Sequence, residues 1–190
     1  MLKPSNATAD KLEPVTNWIF EYNSIVDSYH KETDRAAAIL AGSLLDEMLA
    51  HLLELYFVEN KALQKDLLRG TGPLATFAAR IKIAYMLGFM PESVFHDFER
   101  IRKIRNHFAH HPKATSFDES PAKDHCSQFA FVAWPGLNPA DSIKGFPPRK
   151  QFLHAVASLA VFGQVTLELI GFPERPRCTV PPDGPRFSYE

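Results

Sequence analysis

The segment Pro91–Pro112 constrains the fold most, because it has the pattern of one amphipathic helix. Pro91 suits the first turn of a helix, and Pro112 pushes His111 out of helical geometry, so the helix should end near His110. One face of this helix is apolar and is predicted to be buried. It consists of Val94, Phe98, Ile101 and Phe108, with Ile104 at its edge.

Arg105 falls in the middle of that apolar face. An arginine keeps its charge there, so it needs a carboxylate, a group of carbonyls, a ligand or a partner subunit. Glu47, at the edge of an earlier helical pattern, is a candidate for a buried ion pair with Arg105, and a solvated Glu47 is the open alternative. Arg105, with Asn106 after it and His110 at the helix end, is the strongest chemical signal in the chain.

The rest of the chain is also helical in its pattern, and no segment alternates like a strand over any length. The pattern predicts helices over residues 14–29, 35–57, 61–68, 74–87, 91–110, about 121–131 and 149–170, with a short strand at 129–134 as an alternative to part of the sixth. In the second helix, the broad apolar arc predicts a central position in the core. That arc contains Leu40, Leu44, Met48, Leu52 and Leu55, widened by Leu45, Leu49 and Tyr56.

These patterns predict an all-α fold, a single-domain bundle of six or seven helices. The 190 residues divide into a mobile tail at 1–12, a helical bundle at 13–171 and a proline-rich tail at 172–190. The apolar stretch at 152–172 is interrupted by polar residues, so it predicts a buried helix and no membrane span.

Charge and cysteine usage narrow the function classes. The net charge of −1 excludes a polyanion binder defined by overall charge, although residues 80–113 hold seven basic side chains against three acidic ones. Three of these basic side chains and one histidine are candidate partner or phosphate contacts: Arg100, Arg102, Lys103 and His107. The two cysteines, Cys126 and Cys178, form no C-x-x-C pair, and residues 1–10 lack the apolar run of a signal peptide, so we expect a reducing cytoplasm.

No cofactor or metal site is predicted. His107 and His111 are four residues apart, but no carboxylate or cysteine nearby completes a ligand set. Cys126 follows His125 directly, which is adjacency in sequence and not a catalytic dyad. The chain also lacks a glycine-rich phosphate loop.

Several segments together resemble the MltR family, the mannitol operon repressor group. They are residues 70–74 (GTGPL), 80–89 (RIKIAYMLGF) and 101–110 (IRKIRNHFAH), with 34–47 and 167–170 resembling the family's earlier and C-terminal helices. The similarity spans roughly residues 30–170. It implies a transcriptional regulator that represses a carbohydrate-uptake operon, here the mannitol operon.

The spacing Arg105-Asn106-x-x-x-His110 also resembles the signature of the HEPN fold, an α-helical bundle. In that fold, an arginine, a polar residue and a histidine form a metal-independent ribonuclease site at a dimer interface. The resemblance implies a HEPN-like bundle. It also implies an alternative function, an endoribonuclease with Arg105, Asn106 and His110 in the active site.

The ribonuclease hypothesis carries a geometric condition. Residues five apart on an ideal helix differ by about 140° around its axis. Arg105 and His110 therefore converge only if the last turn unwinds or if two subunits complete the site. Otherwise Arg105 is a satisfied ion pair and His110 caps the helix end.

Direct, sequence-specific DNA reading is not expected, because no helix has the polar, basic surface of a recognition helix. The helix with Arg80 and Lys82 follows a glycine-containing turn but is rich in core residues. We therefore expect a homodimer, or a complex with a regulatory protein partner, that acts by protein–protein contacts. RNA would be a partner only under the ribonuclease alternative.

Overall fold

The computed structural model describes residues 24–113, 116–130 and 143–170, with side chains described as far as residue 167. Residues 24–30 are helical, and we name them α1. The helices that follow are α2 (Asp34–Tyr56), α3 (Lys61–Leu68), α4 (Phe77–Met86), α5 (Glu92–His110), α6 (Ala122–Cys126) and α7 (Pro148–Ile170). The described residues include no strand, so the predicted all-α bundle is confirmed.

Most helix bounds agree with the sequence pattern to within one residue. The helix predicted at 61–68 is α3, where the Asn60 side chain accepts a hydrogen bond from the backbone N–H of Leu63 at 3.1 Å. The beginning of the first predicted helix, both tails and most of the alternative strand lie outside the described residues.

The fourth helix begins later than the predicted residue 74. Leu74 donates its backbone N–H to the carbonyl of Leu67, so it belongs to the turn after α3. The Thr76 hydroxyl then accepts from the N–H of Ala79 at 3.2 Å and caps α4. The sixth helix is likewise shorter than predicted and ends at Cys126.

The core forms where α2 crosses the other long helices. α2 packs against α4, α5 and α7, and α5 also packs against α4, α6 and α7, which confirms a central α2. The largest side chains in this core are completely buried. They include Leu45, Leu49 and Leu53 of α2, Phe98, Ile101, Ile104 and Phe108 of α5, and Phe152 of α7.

The buried face of α2 differs from the predicted arc. Leu40, Leu44 and Leu55 are 46%, 37% and 46% exposed, although each lies on the predicted apolar stripe. The core-facing side uses small residues instead, such as Ala38 and Ala41, because neighbouring helices approach closely there. Among the described residues, α2 alone has the length and hydropathy of a membrane-spanning helix, and half of that stretch is buried in the bundle.

A polar network joins the first turn of α2 to α1 and α7. Thr33 caps α2, which leaves the Asp34 carboxylate to accept the N–H of Phe117 at 2.8 Å and to pair with Arg149. Arg149 also donates to the carbonyl of Tyr29 at 2.9 Å. These bonds hold the beginning of α2 beside the beginning of α7.

Candidate functional site

The C-terminal end of α5 is held by a cation from α2. The Arg35 guanidinium donates to the carbonyls of Ala109, His111 and Pro112, each at 3.4 Å. These carbonyls have no partner within the helix, and a positive charge is favourable at this end of the helix dipole. The contact fixes the turn that contains His110.

Arg105 lies one and a half turns earlier in α5 and is half-buried against α2. Its aliphatic stem packs on Gly42, where a Cβ atom would lie 2.7 Å from Cγ and 2.9 Å from Cβ of Arg105. Its Nη1 donates to the Asn106 side-chain oxygen at 2.9 Å. The arginine and Asn106 are therefore brought together, and the glycine allows α2 and α5 to approach.

The predicted pair between Glu47 and Arg105 is not formed. Both Glu47 oxygens accept from Arg69, at 2.8 and 2.7 Å, and Arg69 also binds Glu54 at 3.1 Å. Bonding to Arg69 lowers the pKa of Glu47, whose side chain is 61% exposed. The reason is geometric, because Glu47 lies about 140° around α2 from Gly42, the residue that Arg105 touches.

The most deeply buried arginine of the described chain is Arg80 of α4, which the sequence analysis did not single out as a core residue. Its side chain is 5% exposed and binds the Asp46 carboxylate at 2.5 Å. It also donates to the carbonyls of Leu68 and Leu74 at 2.6 and 3.0 Å. Burial raises the pKa of Asp46, and the positive charges of Arg80 and Arg105 oppose that shift. The sequence does contain a signal for the burial of Arg80. Arg80 lies three residues after the apolar Phe77, which places both on the same face of α4.

The four candidate phosphate contacts are mostly engaged within α5. Arg100 pairs with the buried Asp97 at 2.9 Å, and Arg102 binds Glu99 through two hydrogen bonds of 3.1 and 2.7 Å. Lys103 is exposed. Because two of the three permanent cations are neutralised by neighbours, the surface is a weak site for a polyanion.

The histidines at the end of α5 do not form a reactive cluster. The His107 ring stacks on His111 at 4.7 Å, and burial together with His111 lowers the pKa of His107. His110 is exposed on a turn that stays helical, because the N–H of His111 still bonds the carbonyl of His107 at 3.0 Å. The unwinding that would bring His110 towards Arg105 within one chain therefore does not occur.

The described residues offer neither a metal site nor a reactive thiol. The described residues contain no group of three or more histidine, cysteine or acidic side chains that could hold a metal ion. Cys126 is completely buried, and burial raises the pKa of its thiol far above the usual value. The fold defines a helical-bundle protein, and five of its described arginines are held in ion pairs.

Comparison with known proteins identifies the family. The family model described as "MtlR: Mannitol repressor" matches residues 23–158. The chain belongs to this mannitol repressor family, and it is an MtlR-like regulator. None of the curated proteins matches the chain.

Solved structures that match the chain include two bacterial proteins. A possible transcriptional regulator, YggD from Shigella flexneri, is 18% identical with a TM-score of 0.53, over 77% of this chain and 95% of that chain. The MtlR–HPr complex from Escherichia coli is 24% identical with a TM-score of 0.49, over 80% of this chain and 97% of that chain.

Proposed function

We propose that this regulator controls a carbohydrate-uptake operon, that of mannitol, through contacts with a protein partner instead of by reading DNA sequence. We further propose that it is a soluble, cytoplasmic homodimer. Family membership supports the regulatory role. The geometry of α4 and α5 supports the proposed mode of action, which is contact with a protein partner.

The observation that carries the proposal is the state of the basic side chains. A recognition helix presents polar and basic residues to the major groove. In α4, which follows the glycine-containing turn, Arg80, Ile81 and Ala84 are buried in the bundle. On α5, Arg100 and Arg102 are occupied by acidic neighbours, so neither helix offers a basic reading surface.

Arg105 is the side chain best suited to a protein partner. It is half-buried, its stem is fixed by Gly42, and Asn106 is the acceptor of the one hydrogen bond it makes among the described residues. A guanidinium has five N–H donors in a fixed plane, so most of its donor capacity is available to a carboxylate of a partner. Its fixed stem reduces the entropy lost on binding.

The first experiment separates partner binding from DNA reading. HPr is the protein probe, because it is the partner named in the E. coli complex. Calorimetry should show binding to the wild type and at least a tenfold loss for Arg105→Ala, which corresponds to about 1.4 kcal/mol. Lys82→Ala, an exposed cation of α4, is the matched control and should bind as the wild type does.

The second arm uses fluorescence anisotropy with the promoter fragment of the mannitol operon and a scrambled fragment of equal length. We expect the two affinities to agree within about tenfold, whereas specific DNA binders discriminate by about a thousandfold or more. Strong preference for the promoter fragment would overturn the proposed mode of action. Binding to HPr that Arg105→Ala leaves unchanged would exclude Arg105 as the contact.

A further inference from the structure

Two arginines of the described chain differ from the others in having no carboxylate partner there. Seven arginines lie in the described residues. Five of them form ion pairs with acidic side chains: Arg69, Arg80, Arg100, Arg102 and Arg149. The other two are Arg35 of α2 and Arg105 of α5, and both are half-buried. A cation that is held in place without a counter-charge is suited to binding an anionic group.

Arg35 and Arg105 lie along the same junction, which we call the seam between α2 and α5. Arg35 extends from α2 to the carbonyls at the end of α5, and Arg105 extends from α5 onto Gly42 of α2. Arg35 and Gly42 are seven residues apart, so they lie on one face of α2, about 10 Å apart along its axis. The seam therefore has one cation near each end of a two-turn stretch of α2.

The acidic residues of α2 that lie closest in sequence to the seam are already paired. Asp34 forms an ion pair with Arg149. Asp46 forms an ion pair with Arg80 at 2.5 Å. The carbonyls around Arg35 hold its guanidinium in place, but they carry no formal charge that would neutralise it. The seam therefore keeps two positive charges, in a chain whose net charge is −1.

Asn106 makes the Arg105 end of the seam a site of hydrogen-bond donors. Arg105 donates from Nη1 to the Asn106 side-chain oxygen at 2.9 Å, which leaves the amide NH₂ group of Asn106 for other partners. The reverse orientation of the amide would place two donors face to face. Neither residue has a buried nitrogen without a partner in the described chain, so the remaining donors are accessible to solvent. A carboxylate fits such a site, because it accepts hydrogen bonds and donates none.

The number of charges favours a protein over a nucleic acid as the ligand. A nucleic acid gains its affinity from many phosphate contacts, about 6–10 in a typical complex. The seam offers two cations, and the neighbouring Arg100 and Arg102 are paired within α5. An acidic protein segment needs only two carboxylates to match both arginines, and glutamates seven residues apart on a helix are also about 10 Å apart.

We propose that the seam between α2 and α5 is the docking site for an acidic segment of a partner protein, with Arg35 and Arg105 each binding a carboxylate. Asn106 holds the Arg105 guanidinium in position. The inference rests on the proposed function, because it assigns the surface and the partner's chemistry to the protein contact proposed at Arg105. It adds Arg35 as the second cation of that contact.

Fluorescence anisotropy on the full chain tests the site. The probe is a labelled helical peptide that carries glutamates along one face, used at low ionic strength, where screening is weak. The wild type should bind it, and Arg35→Gln/Arg105→Gln should bind at least about tenfold more weakly. Lys61→Gln/Lys82→Gln is the matched control, because it removes two positive charges from exposed positions of α3 and α4. Its affinity should stay within about twofold of the wild type.

A single substitution tests Asn106 and does not depend on the double variant folding. Asn106→Asp would place a carboxylate where the amide oxygen now accepts from Arg105, so the arginine would acquire a partner within its own chain. Peptide binding should then fall by about tenfold, while the thermal unfolding temperature stays the same or rises. Unchanged peptide binding by Asn106→Asp would overturn the proposed contact at Arg105.

Each outcome decides the proposal. A wild type that does not bind the peptide, or equal losses in the two double variants, overturns the seam as a docking site. Tighter binding of an RNA of equal charge, lost in Arg35→Gln/Arg105→Gln, would assign the seam to nucleic acid and overturn the proposal as well. Binding of HPr without binding of the peptide overturns the seam alone. Binding of the peptide without binding of HPr supports the seam and overturns HPr as the partner.

Discussion

Burial raises the pKa of the Asp46 carboxyl and the charges of Arg80 and Arg105 both lower it, but the surroundings of the two arginines are opposite. Arg80 is buried and uses its donors on Asp46 and on two carbonyls of the turn between α3 and α4. Arg105 is half-buried and makes one hydrogen bond, to its own neighbour Asn106, among the described residues. A buried arginine whose three nitrogens are all engaged is costly to remove, whereas an arginine with donors left open by the described residues is suited to binding.

The largest expected effect is that of Arg80→Met. It removes a buried charge partner and leaves Asp46 and the carbonyls of Leu68 and Leu74 without their donor, so we expect a loss of about 3–5 kcal/mol in the free energy of unfolding. Urea denaturation measures it. Arg69→Met is the matched control and should cost about 1 kcal/mol or less, because Arg69 is 41% exposed. Equal losses in the free energy of unfolding for Arg80→Met and Arg69→Met would contradict a special structural role for the buried Arg80.

Gly42→Ala should have the next largest effect. Alanine is favoured in helices by about 1 kcal/mol over glycine, but here its Cβ would meet the Arg105 stem at 2.7 and 2.9 Å. Overpacking of this kind costs about 1–3 kcal/mol, so the free energy of unfolding should fall.

Gly163→Ala in α7 is the control for that experiment. Its new Cβ would meet the flexible end of the Met48 side chain, which can move aside. The loss of stability should therefore be smaller than for Gly42→Ala. If Gly42→Ala instead stabilises the protein, then α2 and α5 are not held in close contact at Arg105.

Arg105→Ala should change stability by less than about 1 kcal/mol, because the arginine is half-buried and the one bond it makes among the described residues is local. Thermal unfolding of the variant measures this directly. A loss as large as that of Arg80→Met would mean that both arginines are structural, and the distinction between the two regions would fail.

A smaller effect concerns pH at the end of α5. Burial lowers the pKa of His107 below that of the unfolded chain, so the unfolded chain binds a proton first as the pH falls. The free energy of unfolding should therefore decline below about pH 6.5. His107→Gln should make this decline shallower, as followed by urea titrations at several pH values, and an unchanged slope would contradict the assignment.

The smallest expected effect tests the ribonuclease alternative. Arg105 and His110 lie on different sides of a regular helix, so we expect no RNA cleavage by the chelator-treated protein. Gel analysis of mixed RNA, with Arg105→Ala and His110→Ala alongside, measures it. If the wild type cleaves RNA and neither variant does, then Arg105 is an active-site residue and a second subunit completes the site.

Much of the fold could be predicted from local signals. Asn60 predicted the beginning of α3, and the two prolines around α5 predicted its ends, because caps and prolines act on the residues beside them. The buried face of α5 was also predicted, since Phe98, Ile101 and Phe108 recur at helical spacing. The beginning of α4 was missed because Leu74 bonds across the turn to Leu67.

The candidate site was predicted only in part. The apolar position of Arg105 identified an arginine that needs explanation, but its neighbours could not be derived from the helix alone. The partner suggested for it, Glu47, binds Arg69, which arrives from the end of α3. Arg80 was not recognised as the buried arginine, because its partners come from three separate segments of the chain.

The sequence by itself determined the helices, their caps and the amphipathic face of α5, since these depend on residues a few positions apart. The tertiary structure alone decided which arginine is enclosed, which side of α2 faces the core and which of its leucines remain exposed. Those outcomes depend on how closely the helices approach, and small residues such as Gly42 and Ala41 set that distance.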